Sequence, residues 1–362
     1  MSLDKLRKAI DGVDNRLLDL LSERAALVEE VGHHKDKSGE SYYAPEREEA
    51  LLRRLAAANQ SRLPESSLRA IYRELLSSMR ALEQTIKVSF LGPRTTFSHE
   101  AAARHFGSAV ELISQRTIGE VFEAVERGRA HYGLVPIENS QEGAVSATLD
   151  RLTSTSLQIC AQVFLPIELN LLGSGPLKEI RKVYSHPQPF GQCRLWLAEH
   201  LPLAECVEVS STARAAQLAA EEGAGAIAGG LAADEFGLSV LSPSIQDSSS
   251  NVTRFLVVGT KASRPSGQDK TSVMFALKDQ PGALAKALAP FEKAGISLTR
   301  IESRPSKRQA WEYYFFADLA GHAAEAKVAS ALTELMGVCP FARILGSYPD
   351  TPAIEPRLRG SL

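Results

Sequence analysis

Apolar residues in the first 82 positions recur at spacings of three and four, the period of an amphipathic helix. One stripe of about 30 residues comprises Leu3, Leu6, Ile10, Val13, Leu17, Leu20, Leu21, Leu27, Val28 and Val31. After a break at residues 38–45, the pattern predicts a second helix over residues 46–59 and a third from Pro64 to Leu82. The first helix is longer than a small monomer can cover, so we expect a helical bundle completed by a second chain.

From Lys87 the pattern changes to short apolar runs that alternate with helical segments, up to about residue 260. The predicted strands are residues 88–92, 132–137, 158–166, 182–185, 225–229 and 254–259. The predicted helices are residues 98–106, 118–127, 191–200 and 212–222. Alternating strands and helices indicate an α/β domain.

Residues 261–269 are rich in turn-forming residues and predict a linker. The pattern beyond them predicts strands at residues 271–277, 298–303, 311–319 and 341–348, with helices at residues 281–294 and 323–335. The order βαββαβ is that of a ferredoxin-like domain. The sequence thus predicts a multidomain chain, with an all-α domain at residues 1–86, an α/β domain at 87–260 and a ferredoxin-like domain at 270–348.

The 362-residue chain carries 41 Lys and Arg against 43 Asp and Glu, a formal charge of −2. This balance argues against a general nucleic-acid binder and favours small molecules or proteins as partners. The spacing of Cys160, Cys193, Cys206 and Cys339 favours reduced, mostly buried thiols over a metal or disulfide framework. The charged amphipathic start and the lack of an apolar stretch of about 18 residues predict a cytoplasmic protein without a membrane segment.

Charged residues on the first helix suggest a binding site for an anion. Arg24 and Lys35 are separated by eleven steps of about 100°, which return to one helix face roughly 16 Å along the axis. Solvated surface charges are the ordinary alternative for such residues. The motifs Leu6-Arg7, Glu23-Arg24, Val31-Gly-His-His-Lys35, Pro45-Glu-Arg-Glu48 and Glu83 resemble the all-helical chorismate mutase family, in which an intertwined dimer builds each site from both chains.

This resemblance implies that guanidinium groups hold the substrate of the helical domain. Chorismate is a dicarboxylate, and pairing with Arg7 of the partner subunit, Arg24 and Arg47 would fix the compact conformer that the rearrangement needs. Lys35 would donate to the ether oxygen whose bond breaks, and Glu48 would bind the substrate hydroxyl. No residue has to act as a nucleophile.

Three positions depart from the commonest pattern of this family. Ala44 lies where some members carry an acidic residue and Met79 where some carry serine, and both are expected to line the site. Glu83 lies where many members carry glutamine. A carboxyl group donates to the ether oxygen only when it is protonated, so Glu83 implies a mutase reaction favoured by acid.

Four motifs of the α/β region, in order, resemble those of prephenate dehydratase: Phe90-Leu-Gly-Pro-Arg-Thr-Thr-Phe-Ser-His99, Val135-Pro-Ile-Glu-Asn-Ser140, Tyr184-Ser-His-Pro-Gln-Pro-Phe190 and Asn251-Val-Thr-Arg-Phe255. Taken alone, His186 would be a loop hydrogen-bonding residue, and Glu138 with Asn139 a helix cap. Taken together, the four motifs carry the resemblance, and it implies two α/β lobes with the substrate between them.

The resemblance implies that Thr253 donates a proton to the ring hydroxyl as it leaves with CO₂. Arg254 would orient this donor or bind a carboxylate, and Phe255 would pack more than bind. The other residues expected at the cleft are Thr96, Ser98, Glu138, Asn139, Ser140, Ser185, His186, Gln188 and Asn251. Thr95 departs from the glycine that is usual in the first motif, which would stiffen its loop.

Two motifs of the last domain, Gln280-Pro-Gly-Ala-Leu284 and Ile301-Glu-Ser-Arg-Pro305, resemble the phenylalanine-binding motifs of the ACT regulatory domain. The residues implied are Gly282, Ala283, Leu284, Glu302, Ser303, Arg304 and Pro305. The amides after Gly282 would meet a carboxylate and Glu302 an ammonium group. A structural module that binds nothing is the alternative. A fragment ending near Thr260 is expected to keep some dehydratase activity and lose the response to phenylalanine.

Together the resemblances cover residues 3 to about 348 and are those of the bifunctional chorismate mutase/prephenate dehydratase family. They imply conversion of chorismate to prephenate and then to phenylpyruvate, feedback inhibition by phenylalanine, no cofactor or metal, and a homodimer, with a tetramer as an alternative. Two other functions stay open from sequence alone: a dehydratase that prefers arogenate, and a non-catalytic amino-acid sensor.

Overall fold

The protein is described here by a computed structural model that covers residues 2–38, 41–248, 250–305 and 313–351. The N-terminal region forms helices α1 (Leu3–Ser38), α2 (Pro45–Ala58) and α3 (Glu65–Glu83). Pro45 occupies the first turn of α2, where its missing N–H costs no hydrogen bond. Gly32 lets α1 approach α3 closely, because a Cβ at this position would lie 3.2 Å from Glu83 Cγ.

Helix α1 leaves its apolar stripe uncovered by the described part of the chain. Nine apolar side chains along it are 39–63% exposed: Leu3, Leu6, Ile10, Val13, Leu17, Leu18, Leu20, Leu21 and Leu27. By contrast, α1 contacts α3 near its C-terminal end, where Gly32 and Lys35 lie against Glu83. The predicted need for a covering partner therefore applies to the N-terminal three quarters of this helix.

The middle region forms two lobes, each built around its own sheet. Sheet I has the order β2-β1-β3-β11-β5, with β4 paired to β3; its strands are β1 (Lys87–Leu91), β2 (Glu111–Gln115), β3 (Tyr132–Asn139), β4 (Gly143–Ala144), β5 (Gln158–Pro166) and β11 (Val252–Gly259). Sheet II has the order β10-β6-β9-β7-β8; its strands are β6 (Asn170–Gly173), β7 (Lys182–Ser185), β8 (Glu205–Glu208), β9 (Gly225–Ala228) and β10 (Ser239–Ser242).

Helices flank both sheets, and the chain crosses between the lobes before β6 and again before β11. The helices are α4 (Phe97–Phe106), α5 (Ile118–Glu126), α6 (Ser146–Leu152), α7 (Pro187–Gln192), α8 (Arg194–His200), α9 (Thr212–Glu222) and α10 (Gly230–Phe236). The two crossings are joined by a hydrogen bond of 2.8 Å from Ile167 N to Asn251 O. A cleft between the lobes therefore opens beside the start of β11.

The C-terminal region is the predicted βαββαβ unit. Its elements are β12 (Asp269–Ala276), α11 (Ala283–Lys293), β13 (Leu298–Pro305), β14 (Tyr313–Ala320), α12 (Ala326–Val338) and β15 (Phe341–Pro349), and sheet III has the order β13-β14-β12-β15. The predicted strand that begins at Trp311 starts outside the described residues. Helices α11 and α12 cover one face of sheet III.

The other face of sheet III packs on the back of sheet I. Met274, Phe316 and Tyr348 share one buried cluster with Leu256 and Val258 of β11. At the same boundary, a Cβ on Gly346 would collide with the Ile159 carbonyl, so only glycine allows β15 to approach β5 this closely. The last two domains therefore share a core. In the described ranges, no helix is both long and apolar enough to cross a membrane.

A buried polar cluster joins the helical region to sheet I. The Tyr43 hydroxyl lies 2.6 Å from His105 Nε2, and Ser41 Oγ lies 2.5 Å from the Tyr132 hydroxyl. Burial, together with Arg73 and Arg80, lowers the pKa of His105 from 6.5 to about 3. His105 is therefore neutral in the folded protein at physiological pH.

We expect the free energy of unfolding to fall as the pH is lowered from about 6.5 toward 3, because the unfolded chain protonates His105 and the folded chain does not. The stability contributed by neutral His105 is fully present above the unfolded pKa and is lost below it. His105→Gln keeps an acceptor for Tyr43 but cannot titrate here. Denaturant unfolding at several pH values should show a smaller loss on acidification in this variant, and parallel profiles would contradict the prediction.

Candidate active sites

A cavity of about 1140 Å³ lies where α1, α2 and α3 meet. Of the residues predicted for the mutase site, it is lined by Arg24, Lys35, Ala44, Arg47, Glu48, Met79 and Glu83. Lys35 Nζ donates to Glu83 Oε2 at 2.7 Å, and these side chains are 16% and 6% exposed. The close approach of the helices at Gly32 brings this pair together. Glu83 thus holds Lys35 at the cavity wall. Both side chains are expected to contact the ether oxygen of the substrate.

The cavity also presents guanidinium groups suited to anions. Arg24 Nη1 is buried and has no hydrogen-bond partner among the residues that the structure describes. A buried donor without a partner is costly, so a bound carboxylate would stabilise it. Arg47 reaches the cavity from the exposed side of α2.

Arg7 does not join this group within one chain. It is exposed on α1, seventeen residues from Arg24, or roughly 25 Å along the helix axis. Arg7 therefore lies outside the cavity of its own chain, and its role in the site of another copy stays a prediction.

Arg80 is a residue of this cavity that the sequence analysis missed. It forms an ion pair with Glu48, donates to the Phe106 carbonyl at 2.7 Å and lies over the ring of Tyr43. The available signal was its position three residues before Glu83, on the same face of α3. Arg80 orients Glu48, the residue expected to bind the substrate hydroxyl.

In the two-lobed domain, Thr253 pairs with Asn139 across neighbouring strands β11 and β3. Asn139 Nδ2 donates to Thr253 Oγ1 at 2.9 Å and to Asn251 Oδ1 at 2.8 Å. Asn139 Oδ1 accepts from the backbone amides of Gln141 and Glu142, which fixes the orientation of the side-chain amide. Because Thr253 accepts from Asn139, its own proton is directed elsewhere, as a proton donor requires.

This pair lies beside a cleft of about 630 Å³ between the lobes. The cleft is lined by Gln141, Glu142, Pro187, Gln188, Gly191, Gln192, Asp247 and Ser248. Asn251 Nδ2 donates to Gln192 Oε1 at 3.0 Å, which links Thr253 through Asn139 to the cleft wall. Ser140 donates to the Ser250 carbonyl and accepts from Val252 N, so it fixes the crossing into β11.

Other residues predicted for the cleft support local structure. Thr96 and His186 accept backbone hydrogen bonds as the N-caps of α4 and α7. Ser185 donates to a carbonyl on β9 and is fully buried, and Ser98 is also buried. Phe255 packs in the core of sheet I, as expected. These residues therefore have local structural contacts, and none of the contacts named here is with Thr253.

Glu138 and Arg254 lie on the opposite face of sheet I from Asn139 and Thr253. Successive side chains of a strand point to opposite faces, so a residue next to Thr253 cannot share its face. Arg254 donates to Asp318 at 2.6 Å and to the Tyr348 hydroxyl at 3.0 Å, both in the C-terminal domain. The expectation that Arg254 and Glu138 meet substrate beside Thr253 does not fit this geometry.

The first dehydratase motif contains a strained turn. Thr95 has φ 66°, in the left-handed region that favours glycine, and its amide donates to His99 Nδ1 at 3.2 Å. The glycine usual in the family would adopt this conformation without a clashing Cβ. Threonine fixes the same turn at a cost in strain.

The two regulatory motifs lie at the N-terminus of α11 and along β13. Gly282 has φ 75° and caps α11, and Leu284 is exposed. Along β13, Arg300 and Arg304 contact Glu138 and Asp150 of the two-lobed domain, so Glu302 between them shares that face, whereas Ser303 is exposed on the other. Arg304 forms an ion pair with Asp150 of α6 at 3.1 Å, so the structure uses it between domains rather than at a free effector site.

Three family models match successive parts of the chain: Chorismate mutase type II over residues 6–84, Prephenate dehydratase over residues 88–263 and ACT domain over residues 271–335. A bifunctional chorismate mutase/prephenate dehydratase from Aquifex aeolicus is 45% identical over 353 residues, covering 96% of this chain and 98% of the relative. One from Neisseria gonorrhoeae is 43% identical, covering 95% of this chain and 96% of the relative.

Among solved structures, prephenate dehydratase from Arthrobacter aurescens in complex with L-Phe superposes with a TM-score of 0.69 and 38% identity. The match covers 75% of this chain and 94% of the Arthrobacter chain. The fold and both sites therefore define a multidomain enzyme with isomerase and lyase activities. The chain belongs to the bifunctional chorismate mutase/prephenate dehydratase family.

Proposed function

We propose that the chain converts chorismate to prephenate in the helical domain and prephenate to phenylpyruvate in the two-lobed domain. The proposal depends most on the cavity shared by Arg24, Lys35 and Glu83, in a chain that matches bifunctional relatives over nearly its whole length. We also propose the domain boundaries 1–86, 87–260 and 270–348 and a cytoplasmic location.

In the mutase step, Arg24, Arg47 and Arg7 of the partner subunit hold the two carboxylates of chorismate in the reactive conformer. Lys35 then donates to the ether oxygen, where negative charge develops as the C–O bond breaks. The partnerless Nη1 of Arg24 supports a carboxylate at that place. Glu48, oriented by Arg80, binds the hydroxyl.

We propose a homodimer, with a tetramer as the alternative. The exposed stripe on α1 supports this state, since burying apolar side chains against a second copy removes them from water. The same packing would carry Arg7 into the site of the other copy. The mutase site is incomplete without it, so mutase activity and dimerisation are coupled.

In the dehydratase step, the ring carboxylate of prephenate leaves as CO₂ and the ring C–O bond breaks as the ring becomes aromatic. The leaving hydroxide takes the proton of Thr253 and departs as water, and solvent returns a proton to Thr253. The hydrogen bond from Asn139 supports this role, because it occupies the threonine oxygen as an acceptor and leaves its O–H to donate.

Phenylalanine inhibits the dehydratase by binding the C-terminal domain at Gly282, Ala283, Leu284, Glu302 and Ser303, with Arg304 and Pro305 at the end of the motif. The Arthrobacter dehydratase bound to L-Phe supports an effector of this kind. Glu302 would meet the ammonium group, and the amides that open α11 would meet the carboxylate.

A single assay tests the proposal. The purified chain is mixed with chorismate, with prephenate and with arogenate in turn, and product formation is followed with and without phenylalanine. We expect phenylpyruvate from chorismate and from prephenate, and slower dehydration when phenylalanine is present. Faster turnover of arogenate would favour the arogenate-preferring alternative, and phenylalanine binding without turnover of any substrate would favour a sensor.

A further inference from the structure

Four charged residues form two oppositely charged pairs, one on sheet I and one on sheet III, at the boundary between the dehydratase and C-terminal domains. Glu138 and Arg254 are register partners on β3 and β11. Arg300 and Asp318 are register partners on β13 and β14. Each pair lies against the other with opposite charges matched, because Arg300 Nε donates to Glu138 at 2.9 Å and Arg254 donates to Asp318 at 2.6 Å. We name these residues the charge quartet.

Three of the four side chains of the quartet are buried, and the fourth reaches the surface. The side chains of Arg254 and Asp318 are 9% and 5% exposed and that of Arg300 is 10% exposed, whereas that of Glu138 is 40% exposed. Ser272 donates to the second oxygen of Asp318. A buried ion pair with further hydrogen bonds has a defined geometry, so the Arg254–Asp318 pair fixes the position of Arg254, while the more exposed Glu138 follows Arg300.

The quartet lies directly beneath the proposed proton donor. On β11 Thr253 precedes Arg254, and on β3 Asn139 follows Glu138. Thr253 and Asn139 are themselves register partners, so the catalytic pair and the pair of the quartet occupy adjacent positions of one ladder on opposite faces. Movement of Glu138 relative to Arg254 would therefore change the Asn139–Thr253 contact.

Arg300 also faces the regulatory motif. Its Nη2 lies 4.0 Å from Glu302 Oε2, beyond hydrogen-bond distance, and this nitrogen is buried without a hydrogen-bond partner among the described residues. One guanidinium thus lies between a carboxylate of a dehydratase motif and a carboxylate of a phenylalanine motif. A ligand whose ammonium group engages Glu302 would change the charge that Arg300 experiences.

We infer that the charge quartet is the link through which an amino acid bound at Glu302 controls the Thr253–Asn139 pair, with Arg300 as its positioning residue. The inference rests on the proposed dehydratase function and names the route of its regulation. When Glu302 is engaged by the effector, Arg300 shifts its interaction, Glu138 moves with it, and the hydrogen bond that orients Thr253 is disturbed. Reciprocity requires that prephenate weaken phenylalanine binding by the same factor.

The test uses the full chain with Arg300→Gln, which removes the charge and keeps a polar side chain. In the wild type, phenylalanine should change the affinity for prephenate by roughly 5- to 150-fold. In the variant, calorimetry should show that phenylalanine still binds. The affinity for prephenate should then be nearly the same with and without phenylalanine. Arg300→Lys, which restores a positive charge beside Glu138, should recover part of the effect. Mutase turnover of the same molecules, together with thermal unfolding, confirms that the variants fold.

Arg343→Gln is the matched control. Arg343 of β15 crosses the same boundary and donates to the Leu152 and Thr155 carbonyls, away from β3 and β11. This variant should keep the wild-type response. Equal losses in the two variants would assign the effect to general docking and reject the link, as would an unchanged response in Arg300→Gln or loss of phenylalanine binding by it. A wild-type enzyme that does not dehydrate prephenate, or ignores phenylalanine, would instead reject the proposed function.

Discussion

Replacing Thr253 by alanine is expected to lower dehydratase turnover by roughly 10²- to 10⁴-fold, the range typical of losing a positioned proton donor. The hydroxide that leaves the ring would have to depart without the proton that Thr253 supplies. Thr253 is partly exposed beside the cleft, and its oxygen already accepts from Asn139. The rate of phenylpyruvate formation from supplied prephenate measures the loss.

Two further variants make this prediction specific. Thr253→Ser keeps the hydroxyl and should retain part of the turnover. Asn139→Asp has the same shape but replaces the amide donor by an acceptor, so it would draw the Thr253 proton toward itself and lower turnover with Thr253 intact. Mutase turnover should be unaffected in all three. Wild-type turnover in Thr253→Ala would place the proton donor elsewhere, and Ser98, a buried residue of the first motif, would be tested next.

Replacing Lys35 by alanine is expected to lower mutase turnover by on the order of 10²-fold or more, because a preorganised donor to a developing oxyanion is lost. Dehydratase turnover on supplied prephenate should remain nearly intact, since Lys35 lies in the helical domain and Thr253 between the two lobes. Chorismate loss and phenylpyruvate formation are measured on the same preparation. An equal loss of both activities would contradict the separation of the two sites.

Glu83 extends the same prediction to the residue that holds Lys35. As a carboxylate it accepts from Lys35 at 2.7 Å, whereas it can donate to the ether oxygen only when it is protonated. The amide of Glu83→Gln is a permanent donor, so this variant should keep mutase turnover. Dehydratase turnover of the same preparation is the control. A loss of mutase turnover as large as that in Lys35→Ala would contradict a donor to the ether oxygen at this position.

The long elements were predictable because each carries a complete periodic signal. The stripe from Leu3 to Val31 predicted α1, although the helix continues to Ser38. In sheet I, the observed ends of β1, β3, β5 and β11 lie within about two residues of the predicted ends. The elements missed are short or peripheral: β2, β4, β6, β8, β10, α6 and α10. Strand β8, Glu205–Glu208, is an exposed edge strand of two glutamates around Cys206 and Val207, so it has no apolar alternation to detect. The predicted helix at residues 191–200 is divided between α7 and α8 at Cys193.

The candidate sites were predictable where their residues occupy one helix face or one motif. Arg24, Lys35 and Glu83 were placed by helical spacing and by resemblance, and they line one cavity. Arg254 was assigned to the cleft because of its neighbour Thr253, but its partner Asp318 is 64 residues away along the chain. Contacts between domains leave no periodic trace in a sequence, and for this reason Arg300 was not singled out at all.

The core that sheet I shares with sheet III determines how this protein can be cut and recombined. Sequence alone suggests that a fragment ending near Thr260 keeps dehydratase activity, but the structure argues against it. Such a cut would strip the cover from Leu256 and Val258 and leave Arg254 buried without Asp318, which costs about 3–5 kcal/mol for one broken buried pair. The dehydratase domain and its regulatory domain therefore form one structural unit. A chimera that exchanges the regulatory domain between relatives has to keep Arg300, Asp318 and Gly346 in the new domain.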